Sequence, residues 1–449
     1  MAAGLAAPLP VPLPCGIGRA KTPKQEQGME VVELAPRSID AYSESAGAEA
    51  VTELRRLAAP LQGLRVLHVN ATPHGGGVAE ILQSMVPLLR DLGLVVSWQT
   101  VAAEPAFFAV TKAIHNALQG SPHTLTADEQ AIYLKWQDRN AVSLADEYDV
   151  VVVHDPQPLG LRQVAGPRGA HWVWRLHVDS SHPDPTVWGF LRPLLAGYQA
   201  LVFTTPQFVP PDVDAAKVRI IAPAIDPLIP KNLAVPHQRA LAILAVLGLD
   251  PGRPLVAQVS RLDPWKDPTG VIDAYRLVRK SIPGLQLALV GVIAAQDDPE
   301  AVGMAEVVRA HANGDPDIHI YVDPTQVGAV EVAAVQQTAQ VIFQKSLREG
   351  FALTVAEALW KVTPVIGGEA GGIPLQLQDG VGGFLVSSVE AAAERARWLL
   401  EHPPEARTIA ARGRDRVRAQ FLITRLVADD LRLYADVLDQ RVAGEVAAD

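Results

Sequence analysis

The chain has 449 residues, of which 49% are hydrophobic and 20% are charged, and its formal net charge is −10. One hydrophobic core rarely serves a chain of this length, so we expect two domains of roughly 200 residues each. The acidic balance, without a strong basic run, argues against a nucleic-acid partner, because a protein that binds the phosphate backbone usually carries a basic face.

The first part of the chain predicts a disordered leader over residues 1–35, rich in Ala, Pro and Gly. Prolines interrupt its apolar residues and a basic start is lacking, so it does not match a secretory signal. The single cysteine, Cys15, allows no disulfide within the chain, which is typical of a reducing compartment. With no run of 18 apolar residues, we expect a cytoplasmic protein without a membrane-spanning helix.

Residues 36–228 are predicted to form the first domain, in which short apolar, β-branched runs alternate with helical patterns. The predicted strands are Arg65–Val69, Val95–Val101, Val150–His154, His171–Leu176, Ala200–Thr204 and Val218–Ile221, and helical patterns include Val78–Leu92 and Thr186–Leu195. Continuous apolar strands separated by helices indicate a parallel sheet that is covered on both faces.

The same rhythm restarts after a linker at 223–236, which contains four prolines, and predicts a second domain over 229–420. Its predicted strands are Leu255–Val259, Leu285–Val290, Ile318–Val322, Val341–Gln344, Thr363–Ile366 and Gly383–Leu385, separated by helices that include Pro268–Ser281, Thr354–Lys361 and Val389–Glu401. A last helical segment over 421–449 either closes the second domain or crosses back to the first.

The predicted fold class is therefore α/β, with two doubly wound, Rossmann-like domains. In open α/β sheets, ligands bind outside the carboxyl ends of the strands. Two such sheets that face each other would place their strand-end loops on one interdomain cleft, where we expect a small-molecule site.

Two glutamates at 349 and 357 flank a small-residue turn that leads into an apolar helix. Eight residues at the helical rise span roughly 12 Å. That is about the separation of the hexose and the ribose in a nucleotide sugar whose pyrophosphate lies over the helix N-terminus. Such a pair is also common on protein surfaces, so the assignment depends on neighbouring loops.

Three other loops at predicted strand ends favour the same site. Gly75-Gly76-Gly77 precedes a helix and removes side chains where backbone N–H groups meet an anion. Arg261 and Lys266 place two cations in one loop, where they would neutralise charge on a leaving diphosphate. The glycine-rich stretch 367–372, which includes Gly371 and Gly372, allows the backbone to approach a ligand closely.

Polar residues also follow two strands of the first domain. His154, Asp155 and Gln157 come after one strand, and His177 and Asp179 after another, which predicts a polar, sugar-sized site. A metal site at His177, Asp179 and His182 is the alternative by residue type. Nothing else in the chain completes a ligand set, so we expect no metal.

Taken together, these motifs resemble those of the retaining glycosyltransferases of family 4, which have the GT-B fold. The resemblance implies that Arg261 and Lys266 bind the diphosphate, Glu349 the donor sugar and Glu357 the ribose, with His177 near the transferred sugar. It makes His177, Arg261, Lys266 and Glu349 the candidate catalytic residues. The implied donor site is completed by Gly76, Gly350, Phe351, Ala352, Leu353, Glu357, Gly371 and Gly372.

Within that family the first domain is most similar to the trehalose glycosyltransferring synthases. The motifs that carry this similarity are 75–80, 154–157 and 174–179, and it extends from about Val66 to Arg418. It implies an acceptor site with Glu80, His154, Asp155, Gln157 and Asp179.

The implied reaction transfers glucose from UDP-, ADP- or GDP-glucose to free glucose, giving α,α-trehalose by front-face transfer, without a tightly bound cofactor. The alternatives are a trehalose phosphorylase, another hexosyltransferase of the family with a different acceptor, and a non-catalytic sensor of nucleotide sugars. A Rossmann oxidoreductase is disfavoured because neither domain carries GxGxxG with a downstream acidic residue. The expected partners are small molecules. The sequence leaves open whether the protein forms a homodimer.

Overall fold

The computed structural model describes residues 28–144, 147–291 and 299–446. The first of its two seven-stranded sheets has the order β1-β3-β2-β4-β5-β6-β7. Its strands are β1 Glu30–Val31, β2 Arg65–Asn70, β3 Val95–Thr100, β4 Val150–His154, β5 His171–Arg175, β6 Ala200–Phe203 and β7 Val218–Ile220. The helices around it are α1 Ser43–Ala46, α2 Ala48–Ala58, α3 Gly77–Asp91, α4 Pro105–Leu118, α5 Ala127–Ala141, α6 Leu161–Ala165 and α7 Pro185–Leu191.

The second sheet has the order β10-β9-β8-β11-β12-β14-β13, and its strands are all parallel. These strands are β8 Leu255–Val259, β9 Gln286–Val290, β10 Ile318–Tyr321, β11 Val341–Gln344, β12 Val365–Gly368, β13 Gln378–Asp379 and β14 Gly382–Val386. The helices are α8 His237–Val246, α9 Pro268–Arg279, α10 Pro299–Ala312, α11 Ala329–Thr338, α12 Leu353–Trp360, α13 Ile373–Gln376, α14 Val389–Glu401 and α15 Pro403–Gln420.

The predicted fold class is confirmed, and the strands form for the reason the sequence indicates. In β4, four consecutive valines and His154 are all buried, as expected for a strand with helices on both faces. Two apolar clusters line the two faces of the first sheet, and two more line those of the second.

The last helix, α16 (Ile423–Val446), packs on the first domain. The chain leaves the first domain at Ile225 and returns at Leu422, where the two segments pair: the N–H of Ile225 donates to Phe421, and that of Ile423 donates to Ile225, both at 2.8 Å. Beyond this point α16 contacts α2 and α3, and Tyr434 and other apolar residues of α16 lie in the first-domain core. The two domains are therefore joined by two adjacent chain segments.

Three expectations need adjustment. Residues 28–35 lie in the predicted leader, but Glu30–Val31 pairs antiparallel with β3, and residues 1–27 lie outside the described residues. The helix expected over Thr186–Leu195 ends at Leu191 and continues as a 3-10 helix, Arg192–Gly197, with a proline near its start. The strand expected at Thr363–Ile366 is shifted to Val365–Gly368, where Gly368 allows the turn after β11 to approach at Ser346.

The described residues contain neither a membrane-spanning helix nor a metal-binding cluster. None of their helices is both long and apolar enough to cross a membrane. In the same residues, no group of three His, Cys, Asp or Glu side chains is placed to hold a metal ion.

Candidate active site

The cleft between the two domains has a volume of about 950 Å³ and is lined by loops from both sheets. This lies near the upper end of the range for ligand pockets, roughly 300–1,000 Å³. The described residues that line it include nine basic or histidine side chains: Arg37, His74, Lys112, His115, His177, Lys231, Arg261, Lys266 and Arg348. The cleft thus offers cations in a chain that is acidic as a whole.

The loop between β2 and α3 forms one wall of the cleft. Its first residue, Asn70, donates from its amide to the backbone oxygen of Thr72 and accepts the indole N–H of Trp98, both at 2.7 Å. Gly75 has a φ of 85°, which favours glycine, and Gly76 is the N-cap of α3. The N-terminal end of α3 therefore opens on the cleft, where its unpaired N–H groups suit an anion.

Lys266 lies in the loop after β8, and hydrogen bonds from two other segments hold the backbone of this loop. The amide of Gln258 donates to the Lys266 backbone oxygen at 2.7 Å, and the N–H of Leu347 donates to that of Trp265 at 2.8 Å. Asp263 accepts the N–H of Trp265 at 2.9 Å and starts a short 3-10 turn. This backbone is fixed before any ligand binds, as electrostatic catalysis requires.

Glu349 lies in the loop after β11 and faces Lys266. Its Oε2 is 2.5 Å from the Lys266 Nζ, 3.1 Å from the Ser346 hydroxyl and 3.3 Å from the Gln344 amide nitrogen. The Gly350 N–H donates to its Oε1 at 3.2 Å. The side chain is only 8% exposed, and donors from Lys266, Ser346, Gln344 and the Gly350 backbone surround its carboxyl group.

The turn between Glu349 and α12 is strained and supported from behind. Ala352, just before the helix, has a φ of 67°, a conformation that costs energy for a residue with a Cβ. A Cβ on Gly371 would overlap the Glu349 carbonyl oxygen, and the Gly372 N–H donates to Gly350 at 2.9 Å. Gly371 and Gly372 therefore support the turn, and neither is among the described residues that line the cleft.

Lys231 connects the two domains inside the cleft. Its ammonium lies 2.6 Å from Glu80, on α3 of the first domain, and 2.7 Å from Glu357, on α12 of the second. Glu357 also accepts the Gln336 amide at 3.2 Å, and Lys361 donates to its backbone oxygen at 3.2 Å. The two glutamates that the sequence assigns to acceptor and ribose thus share one lysine, which comes from the linker.

Burial and charge act in opposite directions on this cluster. Burial would lower the pKa of Lys231, but Glu357 and Glu80 outweigh it and raise that pKa. Burial opposes ionisation of Glu357, but Lys231 and Lys361 hold its pKa below the usual value. Burial raises the pKa of Glu80 and lowers that of Lys361 to about 8. Lys231 and Glu357 thus form a charged pair across the cleft.

His177, Asp155 and Gln157 form the first-domain wall opposite Glu349. The backbone N–H of His177 donates to Asp155 Oδ1 at 2.9 Å. A Cβ on Gly350 would overlap the His177 carbonyl oxygen, so glycine is required for the domains to approach this closely. A sugar bound beside His177 would therefore also contact the Glu349 turn.

Two predicted acceptor residues are not brought to the cleft wall. His154 is 1% exposed, and both its ring nitrogens are used, one by His68 and one by His177, each at 3.0 Å. Asp179 accepts the N–H of Ser181 at 2.9 Å and is absent from the described cleft lining. The His154 side chain supports the wall from within the protein, and the half-buried Asp179 side chain caps the turn at Ser181.

Most of the other predicted residues do line the cleft. They are Gly76, Glu80, Asp155, Gln157, His177, Arg261, Lys266, Glu349, Gly350, Phe351, Ala352, Leu353 and Glu357. A row on α4 and its C-cap also lines the cleft without having been predicted: Lys112, His115, Asn116 and Gln119. Their i, i+3, i+4, i+7 spacing puts them on one helix face, so a polar stripe in an apolar helix was an available signal. Lys231 had none.

We expect Asp155→Asn to change how stability depends on pH. Enclosure raises the pKa of Asp155 to about 7, although the His177 N–H opposes the shift. As pH rises from about 4 to 7, the unfolded chain loses this proton while the native protein keeps it, so the wild type loses stability. The Asp155→Asn variant has no carboxyl proton at this position to lose, and its amide oxygen can still accept the His177 N–H. Denaturant unfolding of both proteins from pH 4 to 8 should show the variant gaining about 3–4 kcal/mol relative to wild type, then no further change. A constant difference would contradict the assignment.

Two facing Rossmann-like domains, with paired cations and a carboxylate at neighbouring strand ends, define a GT-B glycosyltransferase. A family model described as "Glycosyl transferases group 1" matches residues 242–416. Among solved structures, an α,α-trehalose 6-phosphate synthase from Burkholderia multivorans has a TM-score of 0.65 at 18% identity, covering 85% of this chain and all of that one.

A second family model, "Trehalose synthase, N-terminal domain", matches residues 68–210. The trehalose synthase of Rubrobacter xylanophilus is 48% identical over 86% of this chain and 94% of its own length. That of Pyrococcus horikoshii is 41% identical over 90% and 96%. A trehalose phosphorylase of Pleurotus pulmonarius is 28% identical, over 78% of this chain and 54% of the relative. The chain belongs to the trehalose synthase family of glycosyltransferases.

Proposed function

We propose that the protein transfers glucose from a nucleoside diphosphate glucose to free glucose, with retention, and so makes α,α-trehalose. The first domain would hold the acceptor and the second the donor. The observation that carries this proposal is the Lys266–Glu349 pair, 2.5 Å apart, which faces His177 across the cleft. The similarity to the trehalose synthases of Rubrobacter xylanophilus and Pyrococcus horikoshii supports the choice of product.

The donor would lie along the second-domain wall. Lys266 and Arg261 would bind the diphosphate, Glu349 the hexose hydroxyls and Glu357 the ribose. Arg261 is half exposed and lies 3.6 Å from Asp263, so its guanidinium can turn towards a phosphate. UDP-, ADP- and GDP-glucose share all the groups that these residues would contact. The donor panel described below therefore decides which nucleobase the protein prefers.

The contacts of two cleft carboxylates, Glu349 and Glu357, support the choice of front-face transfer. A double displacement needs a free carboxylate nucleophile and a partner about 5 Å away. Here Lys266, Ser346 and Gln344 all donate to Oε2 of Glu349, and Lys231 pairs with Glu357. The bond from C1 to the phosphate oxygen would break while the acceptor oxygen bonds to C1 on the same face. The leaving phosphate oxygen would take the acceptor's proton, and the cations would stabilise its charge.

The test is a panel of UDP-, ADP- and GDP-glucose, each with and without glucose, in which nucleoside diphosphate release is measured. We expect glucose-dependent release with at least one donor. A second arm gives the protein trehalose and inorganic phosphate. Glucose 1-phosphate in that arm, without nucleotide release in the first, would identify a phosphorylase. Donor binding without release for any acceptor would identify a sensor.

A further inference from the structure

Three donors converge on one oxygen of the Glu349 carboxylate. The Lys266 ammonium, the Ser346 hydroxyl and the Gln344 amide nitrogen lie 2.5, 3.1 and 3.3 Å from Oε2. From the described residues, Oε1 receives one hydrogen bond, from the Gly350 backbone N–H at 3.2 Å. A carboxylate oxygen offers about two lone-pair sites to hydrogen-bond donors. Oε2 is therefore fully used within the protein, and Oε1 keeps one site for a further donor.

Gln344 reaches this carboxylate from the end of β11. It is the last residue of the strand, is 1% exposed and pairs in register with Gly367 of β12. Its amide nitrogen also donates to the Ser346 hydroxyl at 3.1 Å, so each of its two N–H groups has an acceptor. Reversing the amide would place its oxygen against the Glu349 carboxylate, which accepts hydrogen bonds and cannot donate them. The orientation of the Gln344 side chain is therefore fixed.

The Ser346 hydroxyl adds to the effect of Gln344 on Glu349. Because the hydroxyl accepts from Gln344, its own proton is donated to Oε2 of Glu349. The Ser346 backbone lies against β12, where a Cβ on Gly368 would overlap the Ser346 carbonyl oxygen. Gln344 thus acts on Oε2 twice, directly and through Ser346.

We propose that Gln344 is a positioning residue for sugar transfer: it holds Glu349 so that Oε1 is the oxygen that accepts a hydroxyl of the donor hexose. The inference rests on the proposed function, which makes Glu349 the contact of that hexose, and it narrows the contact to one hydroxyl. Both side chains line the cleft. Without Gln344, Oε2 would have a free site and the carboxylate could turn, so the hexose would lose a fixed acceptor. The diphosphate would keep its cations.

Gln344→Met tests this role with a side chain of similar length that cannot donate. The Gln344 Oε1 atom is buried and has no hydrogen-bond partner in the part of the chain that the structure describes, so the substitution also removes a buried unpaired oxygen. We therefore expect the variant to fold. The matched control is Gln286→Met, at the start of β9, where the buried amide bonds to the Asp250 backbone at 2.8 and 2.9 Å, away from the described cleft lining. It should keep wild-type affinities.

Isothermal titration calorimetry with UDP-, ADP- and GDP-glucose, each beside its diphosphate, reads the hexose contact without turnover. We expect Gln344→Met to weaken binding of the glucose derivative about tenfold and that of the diphosphate less than about twofold. In a Glu349→Gln background it should add no further loss, because it acts through that carboxylate. Unchanged affinities, equal weakening of both ligands, or a full loss that persists in the Glu349→Gln background would overturn the proposal. A wild type that binds none of the three glucose derivatives would reject the proposed function, and this inference with it.

The number of contacted hydroxyls gives a second test, which does not depend on how Gln344→Met folds. Nucleoside diphosphates of 2-, 3-, 4- and 6-deoxyglucose each lack one hydroxyl. Because Oε1 has one free site, we expect the affinity for one of these four donors to be insensitive to Glu349→Gln, and to Gln344→Met as well. The other three should be weakened like the glucose donor. Insensitivity of none of the four, or of two or more, would contradict the single contact through Oε1.

Discussion

Lys266→Ala is expected to reduce kcat at least about 100-fold, a loss on the order of 3 kcal/mol in transition-state stabilisation. Its ammonium is held in place at the cleft: the backbone is fixed by Gln258 and the side chain by Glu349. As the bond to the phosphate breaks, negative charge grows on the diphosphate, and a preplaced cation stabilises it without reorganisation. Steady-state kinetics with a saturating donor would measure the change.

A control is needed because the substitution also leaves Glu349 without its main partner. Lys345→Ala offers one, since Lys345 is a buried lysine that pairs with Asp267 and does not belong to the described cleft lining. It should lose a comparable amount of stability and keep most of its turnover. Near-wild-type kcat in folded Lys266→Ala would reject the diphosphate assignment.

The second large effect is on stability. Lys231→Met should lower the free energy of unfolding by about 3 kcal/mol, because Glu357 is 2% exposed and would lose its closest cation. Denaturant unfolding of the variant and the wild type gives this difference. Lys361 remains close to Glu357 in the variant, and its charge limits the loss of stability.

The double variant Lys231→Met, Glu357→Gln separates the charge from the packing. Removing both charges leaves no unpaired ion at Glu357, whereas Glu80 still loses its lysine, so much of the lost stability should return. If the double variant is as unstable as the sum of the two single variants, the ion pair is not what Lys231 supplies.

The strand-end rule explains what could be predicted of the site. Lys266 and Glu349 are 83 positions apart, yet they meet because β8 and β11 are neighbouring parallel strands whose carboxyl ends share an edge. The spacing of Glu349 and Glu357 was less informative than expected. The helix begins only at Leu353, so the helical rise applies to half of that interval.

The remaining contacts depend on tertiary packing that leaves little trace in a single sequence. His154 was expected to bind the acceptor because it ends a strand, but His68 within β2 and His177 just after β5 occupy its two ring nitrogens. Tyr434 reaches the same core only because α16 crosses back. Lys231 lies in a proline-rich linker, where a lysine usually points to solvent, and only the meeting of the two domains brings both glutamates to it.

The product formed from [1-¹³C]glucose as acceptor and unlabelled nucleoside diphosphate glucose tests the central claim most directly. ¹³C and ¹H NMR of the purified product would give the linkage and both anomeric configurations. The proposed transfer predicts a non-reducing disaccharide joined through both C1 atoms, α at each, with the label in one ring. A reducing disaccharide, a β linkage at the transferred sugar, or release of glucose alone would contradict it.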